Sequence, residues 1–275
     1  MDPEPGIRAW VTSELGPTGP WVRLDAGRGS TAVFGLGGHD RIVKHFRSAR
    51  GFEQERRALA SCPAELGGAR VPRLIADAPA LATLILERLP GVSIEEPSPA
   101  VHHAAGRFLA ALHQLEISDD DPLLLAEALI RRTESWRRRA ALEPAQARVV
   151  DEHGPRRELF AGVRRVPCHR DFTPGNWLWD GETLAVIDFE HARPDLALVD
   201  LAKLCAGSWL RQPGCATAFF AGYGRTLGEL ELAQLRAVVV LHGLASLAWG
   251  QERGVPDHVR EGRRALDVAA RWRLG

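Results

Sequence analysis

The sequence predicts an α+β chain with two unequal lobes, a small antiparallel-sheet lobe over residues 1–89 and a larger, mostly helical lobe over 90–275. Three observations predict it. Short runs rich in Val, Ile, Leu and Phe, separated by Gly-containing turns, crowd the first ninety residues. From residue 98 onward apolar residues recur mostly at helical spacing. The clear strand pattern in that second part is one hairpin, NWLWD and LAVIDF joined through Asp180-Gly181.

Taken in order, WVRLDA (21–26), TAVFGLG (31–37) and RIVKHF (41–46) read as a meander of strands. GFEQERRALASC (51–62) reads as a helix that Pro63 helps to end. VPRLIAD and LATLILERL supply two further strands around a turn at Ala78–Ala80, and Pro90-Gly91 punctuates a hinge near 87–91. SPAVHHAAGRFLAALHQL (98–115) opens with Ser98 and Pro99 in capping positions. Its Val101, Ala105, Phe108, Leu109 and Leu112 share one face. Further helices are expected over 122–140, 144–152, 196–210, 214–224, 229–250 and 257–273.

Composition narrows the function classes. The formal net charge is zero, so no electrostatic footprint argues for nucleic acid or an anionic membrane surface. No apolar run approaches the roughly 20 residues that cross a bilayer, and MDPEPGIRAW lacks the basic start and apolar middle of a secretory leader. The four cysteines, at 62, 168, 205 and 215, form no CxxC pair and read as reduced thiols of a cytoplasmic protein. A monomer or weak dimer is expected, with no nucleic-acid or membrane partner. The Arg-rich stretches 136–139 and 260–264 read as solvated helix faces.

The chemistry concentrates in CHRDFTPGNWLWD (168–180) and IDFE (187–190). An antiparallel hairpin over 176–188 brings its open ends together, so Asn176 and Asp188 become neighbours. Asp171, five residues before Asn176 on a loop tightened by Pro174 and Gly175, folds back over that end. Three oxygen-bearing side chains then converge, a donor set suited to Mg²⁺ and substrate phosphates. The alternative is a hydrogen-bonded turn with Asp171 as a cap. The order His-Arg-Asp, four residues, Asn, and an Asp after a hairpin is that of a phosphoryl-transfer site. There Asp171 accepts or orients the proton of an attacking hydroxyl, and Asn176 and Asp188 hold Mg²⁺.

The small lobe offers the phosphate contacts. Lys44 shares a strand face with Ile42 and Phe46, so its ammonium starts from an apolar surface and needs an anion; the alternative is an edge lysine that blocks aggregation. Of the two acids on the following helix, Glu55 lies on the stripe of Phe52 and Leu59, whereas Glu53 has Arg57 at i+4 and faces solvent. Glu55 is therefore the expected partner of Lys44. In the turn DAGRGSTAVF, Ser30 and Thr31 are candidates to face phosphate, although the stretch also reads as a plain hairpin turn.

Together VKHF with Glu55, LERLPG, the helix ending LHQL, CHRDFTPGNWLWD, AVIDFE and LALVDLA make the chain resemble the aminoglycoside phosphotransferase-type small-molecule kinases, from about residue 20 to about 250. The resemblance implies a bilobal protein-kinase-like fold and a Mg²⁺-dependent transfer from ATP or GTP to a small hydroxylated acceptor. It implies that Lys44 contacts the α- and β-phosphates with Glu55 orienting it, and that the backbone of Glu87–Leu89 bonds the nucleobase. Asp171 is then the catalytic base, and Asn176 and Asp188 are the metal ligands. Asp200 braces the catalytic loop, a task that Asp195 shares unless it merely caps a helix. Arg170 stands where the family more often has Gly, yet no activation-loop segment follows IDFE for it to read. From Phe189 to the end, eleven Lys/Arg face nine Asp/Glu, which is not the acidic surface a polycationic acceptor needs. The acceptor class therefore stays open between an antibiotic, as in a resistance enzyme, and a metabolite such as an amino alcohol or sugar. Two rivals are a non-catalytic nucleotide-binding regulator and a hydrolase built on Cys168 and His169.

Overall fold

The computed structural model describes residues 4–25, 31–119, 121 and 123–272. The elements run α1 (Pro5–Leu15), β1 (Trp21–Arg23), β2 (Thr31–Leu36), β3 (Arg41–Phe46), α2 (Ala49–Ser61), β4 (Glu65–Leu66), β5 (Ala69–Arg70), β6 (Leu74–Ala78), β7 (Thr83–Glu87) and β8 (Val92–Ser93). There follow α3 (Pro99–Leu112), α4 (Leu125–Arg139), α5 (Pro144–His153), β9 (Val166–Cys168), β10 (Trp177–Trp179), β11 (Leu184–Val186) and β12 (Arg193–Asp195). The chain ends with α6 (Ala202–Cys205), α7 (Ser208–Arg211), α8 (Pro213–Tyr223), α9 (Glu229–Arg253) and α10 (Pro256–Ala270). The α+β class is the one the sequence predicts. Packing divides the chain into two units: residues up to Glu95 with Gly175–Arg193, and Glu96–Pro174 with the residues from Pro194 on. The division expected at 89/90 placed the hairpin of β10 and β11 with the helices; by packing it belongs to the first unit.

In the first unit five strands form an antiparallel sheet in the order β1-β2-β3-β7-β6. The alternation in RIVKHF places Val43 on one face and Lys44 on the other. The first face meets α1, where Ile7 and Val11, one helical turn apart, are buried with Phe34, Leu36, Val43 and Ile85. Helix α1 is not among the elements expected from the sequence. Only two of its eleven residues are buried, so its apolar stripe is too narrow to stand out as a helical period. Against the sheet's other face, α2 is capped by Ser48, whose Oγ accepts the Gly51 N–H at 3.3 Å. It buries Phe52, Glu55 and Leu59, with Phe52 edge-on to Phe46.

A second sheet of order β4-β5-β11-β10-β8 carries the hairpin. Trp177 pairs with Val186 and Trp179 with Leu184. Strand β11 runs parallel to β5 through Ala185 and Arg70, and β10 runs antiparallel to β8 through Leu178 and Ser93. The flanking strands are two residues long, too short to show any periodicity in sequence.

In the second unit α3 and α8 approach at two glycines. A Cβ on Gly106 would lie 2.1 Å from the Phe219 carbonyl oxygen, and one on Gly222 would lie 2.0 Å from that of His103. Backbone, not a flexible side chain, occupies both places. Gly106→Ala is therefore expected to destabilise the protein by about 3 kcal/mol, read as a lowered urea midpoint at unchanged slope; an unchanged midpoint would contradict this packing. Helix α9, 25 residues long, is long and apolar enough by length and composition to cross a membrane, which corrects the expectation that no such run exists. Of its most apolar stretch, 61% is buried inside the protein, and it is the core helix of the unit. The helix expected over 196–210 is instead a 3-10 turn at Ala197–Leu201 followed by the short α6 and α7, interrupted at Gly207.

Candidate active site

Lys44 lies on the α2-facing side of β3 and is 5% exposed. Its ammonium donates to Asp188 Oδ1 at 2.6 Å and, in a shorter contact, to Glu55 Oε2. Glu55, not Glu53, meets it: Glu53 is taken by Arg56 and Arg57 on the outer side of α2. Burial works against the Lys44 charge, but the charges of Glu55 and Asp188 outweigh it and raise the pKa. For Glu55 burial is the larger effect and lifts the carboxyl to about 7, against the pull of Lys44. One ammonium thus faces two carboxyl groups, of which that of Asp188 is partly open to solvent and to a further cation's approach.

Asp188 closes the hairpin. The Ile187 N–H donates to the Asn176 carbonyl at 3.0 Å, directly beyond the Trp177–Val186 pair. Asn176 and Asp188 therefore sit at the hairpin's open end. Asp188 has φ 69, a left-handed conformation that costs an Asp about 1 kcal/mol. Its side chain remains 34% exposed while one oxygen meets Lys44. These oxygen donors fit a hard cation such as Mg²⁺. Thr31, a phosphate-facing candidate, donates its hydroxyl to Glu190 Oε2 at 2.6 Å. Ser30, the other candidate, lies outside the described residues. Of the Glu87–Leu89 amides, Glu87 already donates to the Arg73 carbonyl and Arg88 to that of Asp40. Among the described residues the Leu89 N–H makes no such bond.

In the second unit, Asp171 is paired through Oδ1 with the Lys203 ammonium. The backbone before it is fixed by Asp200, a buried carboxylate that accepts the His169 N–H at 3.0 Å and the Arg170 N–H. Asp200 also meets His113 Nε2 at 3.1 Å, while His113 Nδ1 meets the Tyr223 hydroxyl at 2.9 Å. With Nε2–H donating to the carboxylate, Nδ1 accepts from Tyr223. Arg170 has φ 63, so its side chain departs from the loop and reaches Asp195 at 2.9 Å. Arg132 grips the same carboxylate through both oxygens, at 2.7 and 2.9 Å. Asp195 is 1% exposed. Burial alone would raise its pKa, but Arg132 and Arg170 hold it at about 2. Asp195 is thus the shared partner of two arginines as well as a cap on the Leu196 N–H, and Arg170 is ion-paired within the fold.

Residues 21–236 match the phosphotransferase enzyme family. The chain belongs to that family. A homoserine kinase of Azorhizobium caulinodans is 30% identical to it over 184 residues, 59% of this chain and 54% of the relative. The match thus spans about half the length of that curated relative. Among solved structures, aminoglycoside phosphotransferase APH(4)-Ia superposes with a TM-score of 0.75 at 18% identity, covering 98% of this chain and 99% of the other. The gentamicin complex of APH(2")-IIa gives 0.70 at 16% identity over 97% and 96%. Macrolide 2'-phosphotransferase MphH from Brachybacterium faecium gives 0.65 at 16% over 95% and 96%. At these identities the likeness establishes the fold, the protein-kinase-like one the sequence predicts.

In this member of the family, Lys203, His113, Tyr223 and Arg132 were not anticipated from the sequence. A signal existed for Lys203, three residues after Asp200 and so on the same side of one helical turn. None existed for Arg132, 63 residues from Asp195. The hydrolase built on Cys168 and His169 loses its nucleophile. Cys168 is 2% exposed, its thiol donates to the Val166 and Leu196 carbonyls, and burial holds it protonated. His113, Cys168 and Asp200 do place ligand atoms within 4.8 Å of one another. A protonated thiol and a histidine engaged at both nitrogens make that trio a poor metal site.

Proposed function

We propose that this phosphotransferase moves the γ-phosphoryl group of ATP or GTP to a hydroxyl of a small molecule. The observation that carries the proposal is the cluster of buried Lys44 and Glu55 with the partly exposed Asp188: a strand lysine braced by a helix carboxylate and turned toward a carboxylate at a hairpin's end. Nothing in a purely structural core requires an ammonium to be buried between two acids, at a desolvation cost of several kcal/mol per ion.

In this reading Lys44 neutralises the α- and β-phosphates, with Glu55 holding its ammonium in place, and the Leu89 amide bonds the nucleobase. Asn176 and Asp188 would hold Mg²⁺, which supplies charge neutralisation of the phosphates. Asp171 orients the acceptor hydroxyl and takes its proton as the oxygen bonds to the γ-phosphorus and the bond to the β-phosphate oxygen breaks. Asp200 keeps the Asp171 backbone in register through the two amides before it. Catalysis is then mostly positioning and electrostatics.

Two acceptor classes have support. The solved relatives that bind gentamicin, hygromycin B and kanamycin favour an antibiotic and a resistance role. The homoserine kinase favours a small hydroxylated amino acid or amino alcohol. The second unit's acids weigh toward the latter, because Asp151, Glu231, Glu252 and Glu261 are paired with Arg137, Arg225, Arg139 and His242 rather than gathered for a polycation. A nucleotide-consumption assay with homoserine, aminoglycosides, macrolides and sugars, each with ATP and GTP, separates the classes. Calorimetric titration with Mg·ADP tests the nucleotide site. Lys44→Met is expected to weaken binding at least tenfold, on the order of 1.4 kcal/mol; equal affinity in the variant would contradict the role of Lys44.

A further inference from the structure

Of the 35 basic residues in this chain only two are lysine, Lys44 and Lys203. Both are ion-paired with carboxylates to which the proposed reaction assigns a role: Lys44 with Asp188 and Glu55, and Lys203 with Asp171. Among the described residues the other ion-paired carboxylates meet guanidinium groups, as in Arg132–Asp195, Arg139–Glu252 and Arg225–Glu231, or imidazoles, as in His242–Glu261. A sequence that otherwise uses arginine so uniformly keeps an ammonium at Asp171.

The two cations differ in what they do to a carboxylate. A guanidinium is a planar fork that grips both oxygens, as Arg132 does on Asp195. An ammonium is a point donor, and Lys203 engages Asp171 through Oδ1. A carboxylate that has to take a proton from an incoming hydroxyl needs an orienting charge, but not a fork across both oxygens. The position of Lys203 is equally telling. Asp200 fixes the main chain of His169 and Arg170, and three residues later Lys203 fixes the side chain of Asp171. One turn of chain, 200–203, therefore sets both the backbone and the carboxylate of the loop.

We propose that Lys203 is a positioning residue for phosphoryl transfer, whose ammonium orients the Asp171 carboxylate through Oδ1 and balances its charge in a way that a guanidinium does not reproduce. The proposal rests on the reading of Asp171 as the group that takes the hydroxyl proton. Lys203 also bears on Glu261, whose carboxyl is held at about 2 chiefly by His242, against burial, with Lys203 and His258 contributing. Neutralising Lys203 is therefore a wider electrostatic change than replacing it by arginine, and Lys203→Arg is the sharper variant.

The test has an arm without turnover and an arm with it. Selective ¹³C labelling of lysine gives two ε-methylene signals for the whole chain, assigned with Lys203→Arg. Asp171→Asn is expected to shift the Lys203 signal and leave that of Lys44 in place; an unmoved Lys203 signal overturns the proposal. Turnover of Mg·ATP is then followed with homoserine and with water as acceptors. Lys203→Arg is expected to keep the wild-type urea midpoint and the KM for ATP while kcat falls at least tenfold, and Lys203→Ala to regain activity with added ethylamine. A Lys203→Arg enzyme with wild-type kcat overturns the proposal. Wild-type kcat in Asp171→Asn instead overturns the assignment of Asp171 itself, so the two failures are distinguishable. If neither acceptor is turned over, the NMR outcome decides alone.

Discussion

Asp171→Asn is expected to lower kcat for phosphoryl transfer by about 10²–10⁴-fold, the range in which a positioned general base contributes. The amide is nearly isosteric and still offers an oxygen to Lys203. The Asp171–Lys203 pair is partly exposed, with side chains 22% and 30% accessible, so its loss should change stability by no more than about 1 kcal/mol. The combination is diagnostic. A dead enzyme with a wild-type unfolding curve assigns Asp171 to the reaction. A dead enzyme that is also unfolded would place Asp171 among the residues that hold the loop together, as Asp200 does. Activity within twofold of wild type would remove Asp171 from the mechanism.

The second large effect concerns stability. Asp195→Asn is expected to destabilise the protein by about 3–5 kcal/mol, because it leaves Arg132 and the largely buried Arg170 without their shared counter-charge. The same pair predicts a pH dependence. The Asp195 carboxyl is held at about 2 in the folded protein, against an ordinary value of 3.8. Below 3.8 the unfolded chain takes up a proton that the folded one still refuses. The stabilisation, roughly 2 kcal/mol, is thus fully present above pH 4 and is lost as pH falls toward 2. Urea titrations at pH 6 and pH 3 should show a smaller acid-induced loss in Asp195→Asn than in wild type. An equal loss in both would show that other carboxylates set the acid limb.

How legible each part was follows from how local its cause is. The strands β2, β3 and β7 were readable because each is a short run rich in β-branched and apolar residues bounded by turn-forming residues. The hairpin was readable because Asp180-Gly181 fixes its turn, and with it the proximity of Asn176 to Asp188. The choice of Glu55 over Glu53 needed only the helical wheel, since the two faces of α2 carry different neighbours. Elements without a local period were not readable. Helix α1 buries only Ile7 and Val11, and β4, β5 and β8 are two residues each: β5 and β8 exist as strands because β11 and β10 offer them edges, and β4 pairs in turn with β5. Arg170 shows the same limit within the site. Its sequence context, HRD with no activation-loop segment after IDFE, left it without a role, whereas the structure gives it Asp195, shared with Arg132. That arrangement depends on chain segments brought together by tertiary packing, which no spacing rule reaches.

The most direct test of the central claim is to incubate the wild-type protein with ATP and homoserine or an aminoglycoside, with and without Mg²⁺, and to look for the phosphorylated acceptor by mass spectrometry alongside released ADP. A phosphorylated product is expected to form only with Mg²⁺ and to disappear in both Asp171→Asn and Lys44→Met. A product that persists in both variants, or an absence of Mg²⁺-dependent nucleotide binding in the wild type, would contradict that claim.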